Sequence, residues 1–429
     1  MKRGIVWFKT DLRLHDNETL VQAIEQSDEI IPVYCFDESL FKITEFGFNK
    51  TGNFRTQFLL ESLIDLDKNL RSIGSGLIIV KGNPAIEIIK LVKEFKVNKV
   101  FVKKEIAYEE LITQNKVENE LSKINCSFET FSTSTLYEIN DLPFAVNDIP
   151  DIFTNFRKSV EKESLIKEVI EKPTHLKSPF IQPLNLPTLN ELSLTEVVIN
   201  KKAAIQFKGG ETEGWKRLDD YFFKTNSLSK YKETRNELIG ANYSSKFSAW
   251  LALGCISARS IYEQIKHYEQ DILANESTYW LVFELLWRDY FSFIMAKYGN
   301  RFFLKNGIKN VVNNYANHNP VLLKKWQNGE TGNDFIDANM RELKLTGFMS
   351  NRGRQNVASY LCNDLKQDWR YGAAYFEQQL IDYDVSSNWG NWAYLAGVGN
   401  DPRTNRIFNI DKQANDYDKN ISYRNLWLK

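Results

Sequence analysis

The residues of this chain best suited to chemistry gather in its second half. In "STYWLVFELLWRDYF" (277–291), helical spacing puts Trp280, Glu284, Trp287 and Phe291 on one face. A carboxylate on an aromatic stripe costs free energy to bury unless something pairs with it. Two readings follow: a core helix whose Glu284 pairs with an arginine, or a flat apolar recess floored by Trp287 in which Glu284 reads a polar ring edge. In "TGFMSNRGRQNVASYL" (346–361), a helix from about Ser350 turns Asn351, Arg354 and Gln355 the same way. Residues 341–360 hold Arg341, Lys344, Arg352 and Arg354 against Glu342 alone. Such an excess suits phosphates or an anionic ring, and equally a solvated helix face.

"YKETRN" (231–236) is followed by "YSSKFSAWLALGCIS" (243–257), with Ser244, Ser245 and Ser248 just before an apolar run. Serines there cap a helix, and a helix start with spare hydroxyls also seats a phosphate. Finally, "DYDVSSNWGNWAYLAGVGNDPR" (382–403) packs tryptophans, tyrosines, asparagines, aspartates and glycines together without a clear apolar period. That mixture asks for a ligand.

The elements that must position these groups divide the chain. β-branched, apolar runs at 4–8, 30–36, 76–80, 99–102 and 128–132 alternate with helical patterns such as 53–73, whose apolar positions are Phe54, Phe58, Leu59, Ile64 and Leu66. Strand–helix alternation predicts a doubly wound parallel α/β domain over 1–135, with a ligand cleft at the carboxyl ends of its strands. Neither G-x-G-x-x-G nor G-x-x-x-x-G-K-[ST] occurs. Pro173, Pro179, Pro183 and Pro187 mark an extended linker, placed at 136–205. From about 209 only helical patterns remain, at 214–224, 249–270, 277–298, 334–345, 353–365 and 371–380, so 206–429 is an all-helical domain.

A length of 429 residues favours two domains, and 43% hydrophobic with 26% charged residues describes a globular chain. "MKRGIVWFKTDLRLHD" lacks a signal peptide's apolar core, and Glu284, Arg288 and Asp289 interrupt the apolar run at 281–296. The expectation is a soluble, cytoplasmic protein with no membrane partner. Cys35, Cys126, Cys255 and Cys362 have no paired spacing and read as buried free thiols, with no metal pattern. Zero formal net charge leaves only a local basic patch to announce a nucleic acid.

Taken together, these blocks resemble the photolyase/cryptochrome superfamily, and more narrowly its DASH branch. The likeness runs through "VWFKTDLRLHDN" (6–17), "TGNFRTQFLLESL" (51–63), "NYSSKFSAWLALGCIS" (242–257), "YWLVFELLWRDYF" (279–291), "TGFMSNRGRQNVASYL" and the stretch ending "GNDPR". The order matches that family's α/β domain, long linker and helical flavin domain. The resemblance implies FAD held by Tyr231, the run Ser244, Ser245, Lys246, Phe247 and Ser248, and by Arg288, Asn351, Arg354, Asp382, Asp384 and Asn388. Asn388 aligns with the residue beside flavin N5, where an asparagine favours access to the fully reduced flavin.

The implied substrate side is Glu284, Trp287, Asn351, Gln355 and Tyr394, with Arg235, Arg352, Arg403 and Arg406 toward DNA. The glycines of 382–403 would let backbone pass close to ligand and DNA. Photolyases take their target base out of the stack, as is general for enzymes of this kind. Gln355 and Tyr394 resemble the DASH pattern, which implies a preference for cyclobutane pyrimidine dimers in single-stranded or looped DNA. Tyr108-Glu109-Glu110 resembles the folate-antenna contact, with Glu109 addressing 5,10-methenyltetrahydrofolate; an exposed acidic turn is the alternative.

The leading function is thus light-driven dimer repair by a monomer, through electron transfer from excited reduced flavin. A blue-light receptor is the second class; closure at Lys429 soon after "YRNLWLK" leaves the expectation of no signalling tail. A flavin-containing binder of single-stranded DNA or RNA is the third. One departure stands out. Relatives refill flavin electrons through three tryptophans; the first two match Trp392 and Trp369, but registering on "HNP" (318–320) puts Ala316 at the third, beside Tyr315.

Overall fold

The computed structural model describes residues 1–311, 318–403 and 407–429. Strands β1 (Arg3–Phe8), β2 (Glu29–Asp37), β3 (Ile78–Gly82), β4 (Lys99–Lys103) and β5 (Ser127–Phe131) form one parallel sheet in the order β3-β2-β1-β4-β5. Each expected strand is present. Alternation along β1 explains how the sheet is covered: Ile5 and Trp7 enter one core with Ile88, Leu91 and Val117, while Val6 and Phe8 enter another with Leu63, Leu66 and Leu70. That second core runs on without interruption into the helical region. The helix Asn53–Ser72 supplies much of it, although Ile64 is 54% exposed and belongs to the outer face.

Charged groups fasten the join. Arg13, 2% exposed, donates to the carbonyls of Gly254 (2.9 Å) and Thr133 (2.7 Å). Glu211 accepts from the Leu14 and His15 amides at 2.8 and 3.0 Å. A buried guanidinium saturated with carbonyls costs little to keep charged and a great deal to leave unpaired.

The connecting segment is not wholly extended. It contains the helix Phe153–Glu163, whose Phe153, Phe156 and Val160 are buried. An i, i+3, i+7 pattern of only three apolar residues was too thin to predict it, whereas the proline-rich part has neither helix nor strand, as expected.

Among the helices, Glu276–Tyr298 and Asp334–Thr346 match their predicted spans within a residue. The predicted helix 249–270 is broken into Ser248–Ala252 and Ala258–Asp271. Gly254, at φ +65, makes the break; a Cβ there would lie 2.2 Å from the Thr10 carbonyl oxygen, so only glycine admits the contact with the α/β domain. The expected 353–365 helix starts two residues earlier, at Asn351, capped by Ser350, and widens to a π turn at Tyr360–Asp364. The stretch 382–403 hides the helix Val385–Leu395, capped by Asp384. Burial nearly all round deprives such a helix of a polar stripe, which is why no period showed. Helices Pro320–Asn328, Ile410–Tyr417 and Ser422–Leu428 were also missed. All four cysteines are buried free thiols. Among the described residues no helix is long and apolar enough to cross a membrane.

Candidate active site

A cavity of about 610 Å³ opens between Glu276–Tyr298, Asn351–Ser359, Val385–Leu395 and the run 244–248. Every residue assigned from sequence to FAD or to the dimer lines it: Glu284, Trp287, Asn351, Gln355, Tyr394, Tyr231, Ser244 to Ser248, Arg288, Arg354, Asp382, Asp384 and Asn388. Arg235, Arg352, Arg403 and Trp392 line it too. Arg406, like Tyr315 and Ala316, lies outside the described residues. Sequence reading missed other walls, among them Asn236, Phe348 and Tyr383 outside the helices and Phe376 within one; single residues without a period give no signal to distinguish lining from core.

The inner wall is built of paired charges. Arg354 forks onto Asp382 at 2.8 and 3.0 Å and donates to the Met349 carbonyl at 2.8 Å. Asp384 caps its helix by accepting from the Ser387 amide at 2.8 Å, and faces Arg288 at 3.6 Å. Arg288 also donates to the Ser134 carbonyl. Asn388 uses its amide nitrogen on the Ala373 carbonyl (3.0 Å), and its Oδ1 takes no hydrogen bond from the described residues. Arg341 and Lys344 leave this wall, bonding instead to Gly329 and Asn328, so only Arg352 and Arg354 of the basic excess reach the cavity.

The serines do not cap. Helix Ser248–Ala252 has Phe247 at its N-cap and no side-chain hydrogen bond there. Lys246 sits at φ +57 with its ammonium 3.3 Å from the Tyr243 ring centroid. Burial pulls its pKa down to about 6, helped by the nearby Arg217 and opposed by Glu342. Among the described residues it makes no ion pair, so near neutral pH it is largely uncharged until an anion reaches it.

Toward the mouth, Trp287 lies flat against Phe153, 3.7 Å between centroids and 12° between planes. Phe153 comes from the connecting helix, so the supposed linker fixes the plane of the floor. Tyr394 meets Trp287 edge-on at 6.1 Å. Both readings of Glu284 hold at once: it lines the cavity, and it accepts from Arg235 at 2.5 Å. Burial pushes its carboxyl up while Arg235 pulls it back. Trp280 stands behind, with Lys232 and Arg235 over its ring at 5.0 and 5.2 Å. Arg352 donates to Gln355 (3.1 Å) and Asn236 (2.9 Å), and Arg403 to Asp401 (3.0 Å) and Tyr394 (3.3 Å).

Two glycines of 382–403 let protein pack tightly against the backbone. A Cβ on Gly390 would fall 2.3 Å from Phe291, and one on Gly399 2.6 Å from the Tyr394 amide. Trp369 is buried away from the cavity with its edge on Trp389 (5.7 Å), a contact unforeseen in sequence although "NWGNW" displays the residue. Glu109 does not line the cavity; its side chain is 65% exposed and ion-paired with Lys50.

With this geometry established, the comparisons are decisive on family. Residues 4–177 match the family description "DNA photolyase", and residues 280–429 match "FAD binding domain of DNA photolyase". The chain belongs to the photolyase/cryptochrome family. It is 48% identical over 428 residues to the cryptochrome DASH of Gloeobacter violaceus, covering 100% of this chain and 85% of that protein. It superposes on the crystal structure of a Synechocystis cryptochrome with a TM-score of 0.96 at 45% identity, covering 100% of this chain and 89% of that one. Its branch is therefore cryptochrome DASH. An archaeal photolyase from Sulfolobus tokodaii, solved with two FAD molecules and described as implying a novel light-harvesting cofactor, matches with a TM-score of 0.81 at 27% identity, covering 100% and 90%.

Proposed function

We propose that the chain uses FAD and blue light to split cyclobutane pyrimidine dimers, with preference for single-stranded or looped DNA. One observation carries the reading: a single cavity joins a wall of paired charges to a mouth floored by a backed tryptophan. The inner wall fits the cofactor. Arg354 and Arg288, each beside an aspartate, and Lys246, which an arriving anion would recharge, suit a pyrophosphate, while the open Oδ1 of Asn388 suits a ring N–H. When bound and reduced, FAD supplies the photoexcited electron donor.

This chain's residues do the rest. Trp287, held flat by Phe153, receives a flipped dimer by stacking, with Tyr394 at its edge. Glu284, its carboxyl pushed up by burial, donates a hydrogen bond as the acid to the dimer's polar edge and stabilises it once it carries negative charge, because a preorganised donor in a recess out of water loses little to reorganisation. Gln355, Asn351 and Arg352 flank the recess. Extruding a dimer from a duplex costs a few kcal/mol, close to what one stacking floor worth about 1–3 kcal/mol returns, whereas a single strand incurs the least of that cost. Glu109, paired with Lys50 at the start of Tyr108–Ser122, is proposed as the contact for a folate antenna, 5,10-methenyltetrahydrofolate.

The test is direct. Reduced, flavin-loaded protein is incubated under blue light with single-stranded and duplex oligonucleotides bearing one dimer, and thymine recovery is followed. Recovery from the single strand in light and not in darkness supports repair; equal rates on both substrates remove the strand preference, and no recovery removes the enzyme.

A further inference from the structure

Helix Val385–Leu395 carries two tryptophans, and only one of them lines the cavity. Trp392 does so, and its ring rests on Gly372, where a Cβ would come within 2.3 Å of the indole. Gly372 is one turn along from Trp369 in the helix Trp369–Gln379. Trp369 in turn sets its edge on Trp389, 5.7 Å away, and Trp389 is 5% exposed. The indoles differ in what their N–H groups meet. Trp369 and Trp326 donate at 3.1 Å to the carbonyls of Lys305 and Val357, which cannot hold a proton. Trp389 donates at 3.2 Å to a carboxylate oxygen of Glu377 and, equally, at 3.2 Å to the Tyr383 hydroxyl. Glu377 is 5% exposed, and its second oxygen is buried without a hydrogen-bond partner.

We infer that Trp389 and Glu377 form a trap for an oxidised tryptophan: a hole created at Trp392 passes by Trp369 to Trp389, whose indole proton then moves to Glu377. This rests on the reading of the cavity as a flavin site. The step balances. One electron leaves Trp392 for the light-excited oxidised flavin and is replaced through Trp369 from Trp389; the Trp389 N–H bond breaks, the O–H bond of a Glu377 carboxylic acid forms, and a neutral indole radical remains. A thiol reductant later returns the electron, and Glu377 the proton.

Tyr383 does not compete as acceptor, because burial, then Glu377 and Glu110, hold its phenol protonated far above its ordinary range. Burial also pushes the Glu377 carboxyl up, which strengthens it as a base; Lys50 and Arg55 pull it down, Glu110 raises it, and the Tyr383 hydroxyl lowers it. The trap needs no aromatic at the protein surface. It therefore answers the alanine at the third position of the expected tryptophan series without involving that position.

The experiment is flash photolysis of the oxidised, flavin-loaded protein, with tryptophan radical cation and neutral radical resolved by their spectra. Glu377→Gln keeps the shape and a hydrogen-bond acceptor but not the base, and should slow deprotonation about 100-fold, the usual contribution of a positioned proton acceptor. Trp389→Phe should remove the neutral radical. In the native protein the neutral-radical yield should fall as pH is lowered through the raised range of Glu377, and in Glu377→Gln it should not vary. Electron paramagnetic resonance of the trapped radical should show no exchangeable N–H coupling. Bound flavin with unchanged radical kinetics in both variants overturns the inference alone. Protein that takes up no flavin overturns the reading of the cavity and this inference with it.

Discussion

Replacing Trp287 by alanine is the sharpest test of the substrate pocket, because its two consequences can be computed separately. Base–aromatic stacking is worth about 1–3 kcal/mol, so affinity for a dimer-bearing single strand should fall by about 5- to 150-fold. The fold is also affected, since removing the indole strips cover from Phe153, which is itself 6% exposed. Full burial would make a Trp→Ala change cost about 3–5 kcal/mol, and the half-buried Trp287 should lie at or below the lower end. A companion separates floor from fold: Phe153→Leu keeps most of the apolar volume but frees the indole to tilt, so affinity should drop by less than for Trp287→Ala. Fluorescence anisotropy with damaged and undamaged single strands measures the first effect, thermal unfolding the second, and flavin absorbance checks the cofactor. The stacking argument fails if Trp287→Ala weakens both strands equally. It fails also if the loss of binding follows loss of flavin, which would make Trp287 a structural residue.

Glu284→Ala should lower dimer splitting per absorbed photon more than it lowers affinity, since a hydrogen-bond donor matters most once the dimer carries negative charge; unaltered yield removes Glu284 from the reaction. Glu109→Ala should abolish a near-ultraviolet folate band after reconstitution and leave FAD absorbance intact, and a native protein that never shows the band ends the antenna assignment. Glu342, buried beneath Tyr423 and Lys246, has its carboxyl pushed up to about 7 by burial. Its unfolded pKa is about 4.3, so between these values the folded state binds the extra proton and this group's contribution to stability declines as pH rises, then levels off. Melting temperatures of Glu342→Gln and native protein should therefore diverge in the native protein's favour as pH falls from 7 toward 5, and parallel curves would refute the assignment. Gly372→Ala drives a methyl into Trp392 and should cost about 1–3 kcal/mol of stability by overpacking, read by chemical denaturation.

The sequence was most informative where physics is local. Apolar, β-branched runs located all five strands, and the stripe of 277–298 gave the longest described helix nearly to the residue. The cavity residues were legible because matching blocks supplied them together; composition alone left Glu284 open between a structural pair and a ligand contact, and it is both a pair and a lining residue. What escaped depends on distant chain. Nothing near Phe153 announces that it will lie against Trp287, and the serine run looked like a cap until Phe247 took the position. Gly254 reads as an ordinary glycine in a helical pattern, and only the approach of Thr10 shows why the helix must break there.

The described arginines assigned to DNA already have acceptors, including Arg403, whose side chain is 59% exposed. Arg235 is engaged by Glu284, Arg352 by Gln355 and Asn236, and Arg403 by Asp401 and Tyr394. On the proposed reading, substrate binding is then an exchange, in which a phosphate must displace or share each of these acceptors. Three acceptors, Gln355, Asn236 and Tyr394, are neutral and give up a guanidinium cheaply, but the carboxylates of Glu284 and Asp401 do not. If Arg235 turns to a phosphate, Glu284 loses the cation that offsets its burial and its carboxyl moves further up. A strand that brings a dimer edge into the recess offers Glu284 a new hydrogen-bond partner at that moment, whereas an undamaged strand offers none. Discrimination between the two would thus come from the carboxylate left behind as much as from the tryptophan beneath, and it would be sharpest at a pH where Glu284 is ionised in the free protein. Arg235→Met, which abolishes the pair in advance, should compress the affinity ratio of damaged to undamaged strand while lowering both affinities. A ratio left intact by that substitution would place discrimination in stacking alone.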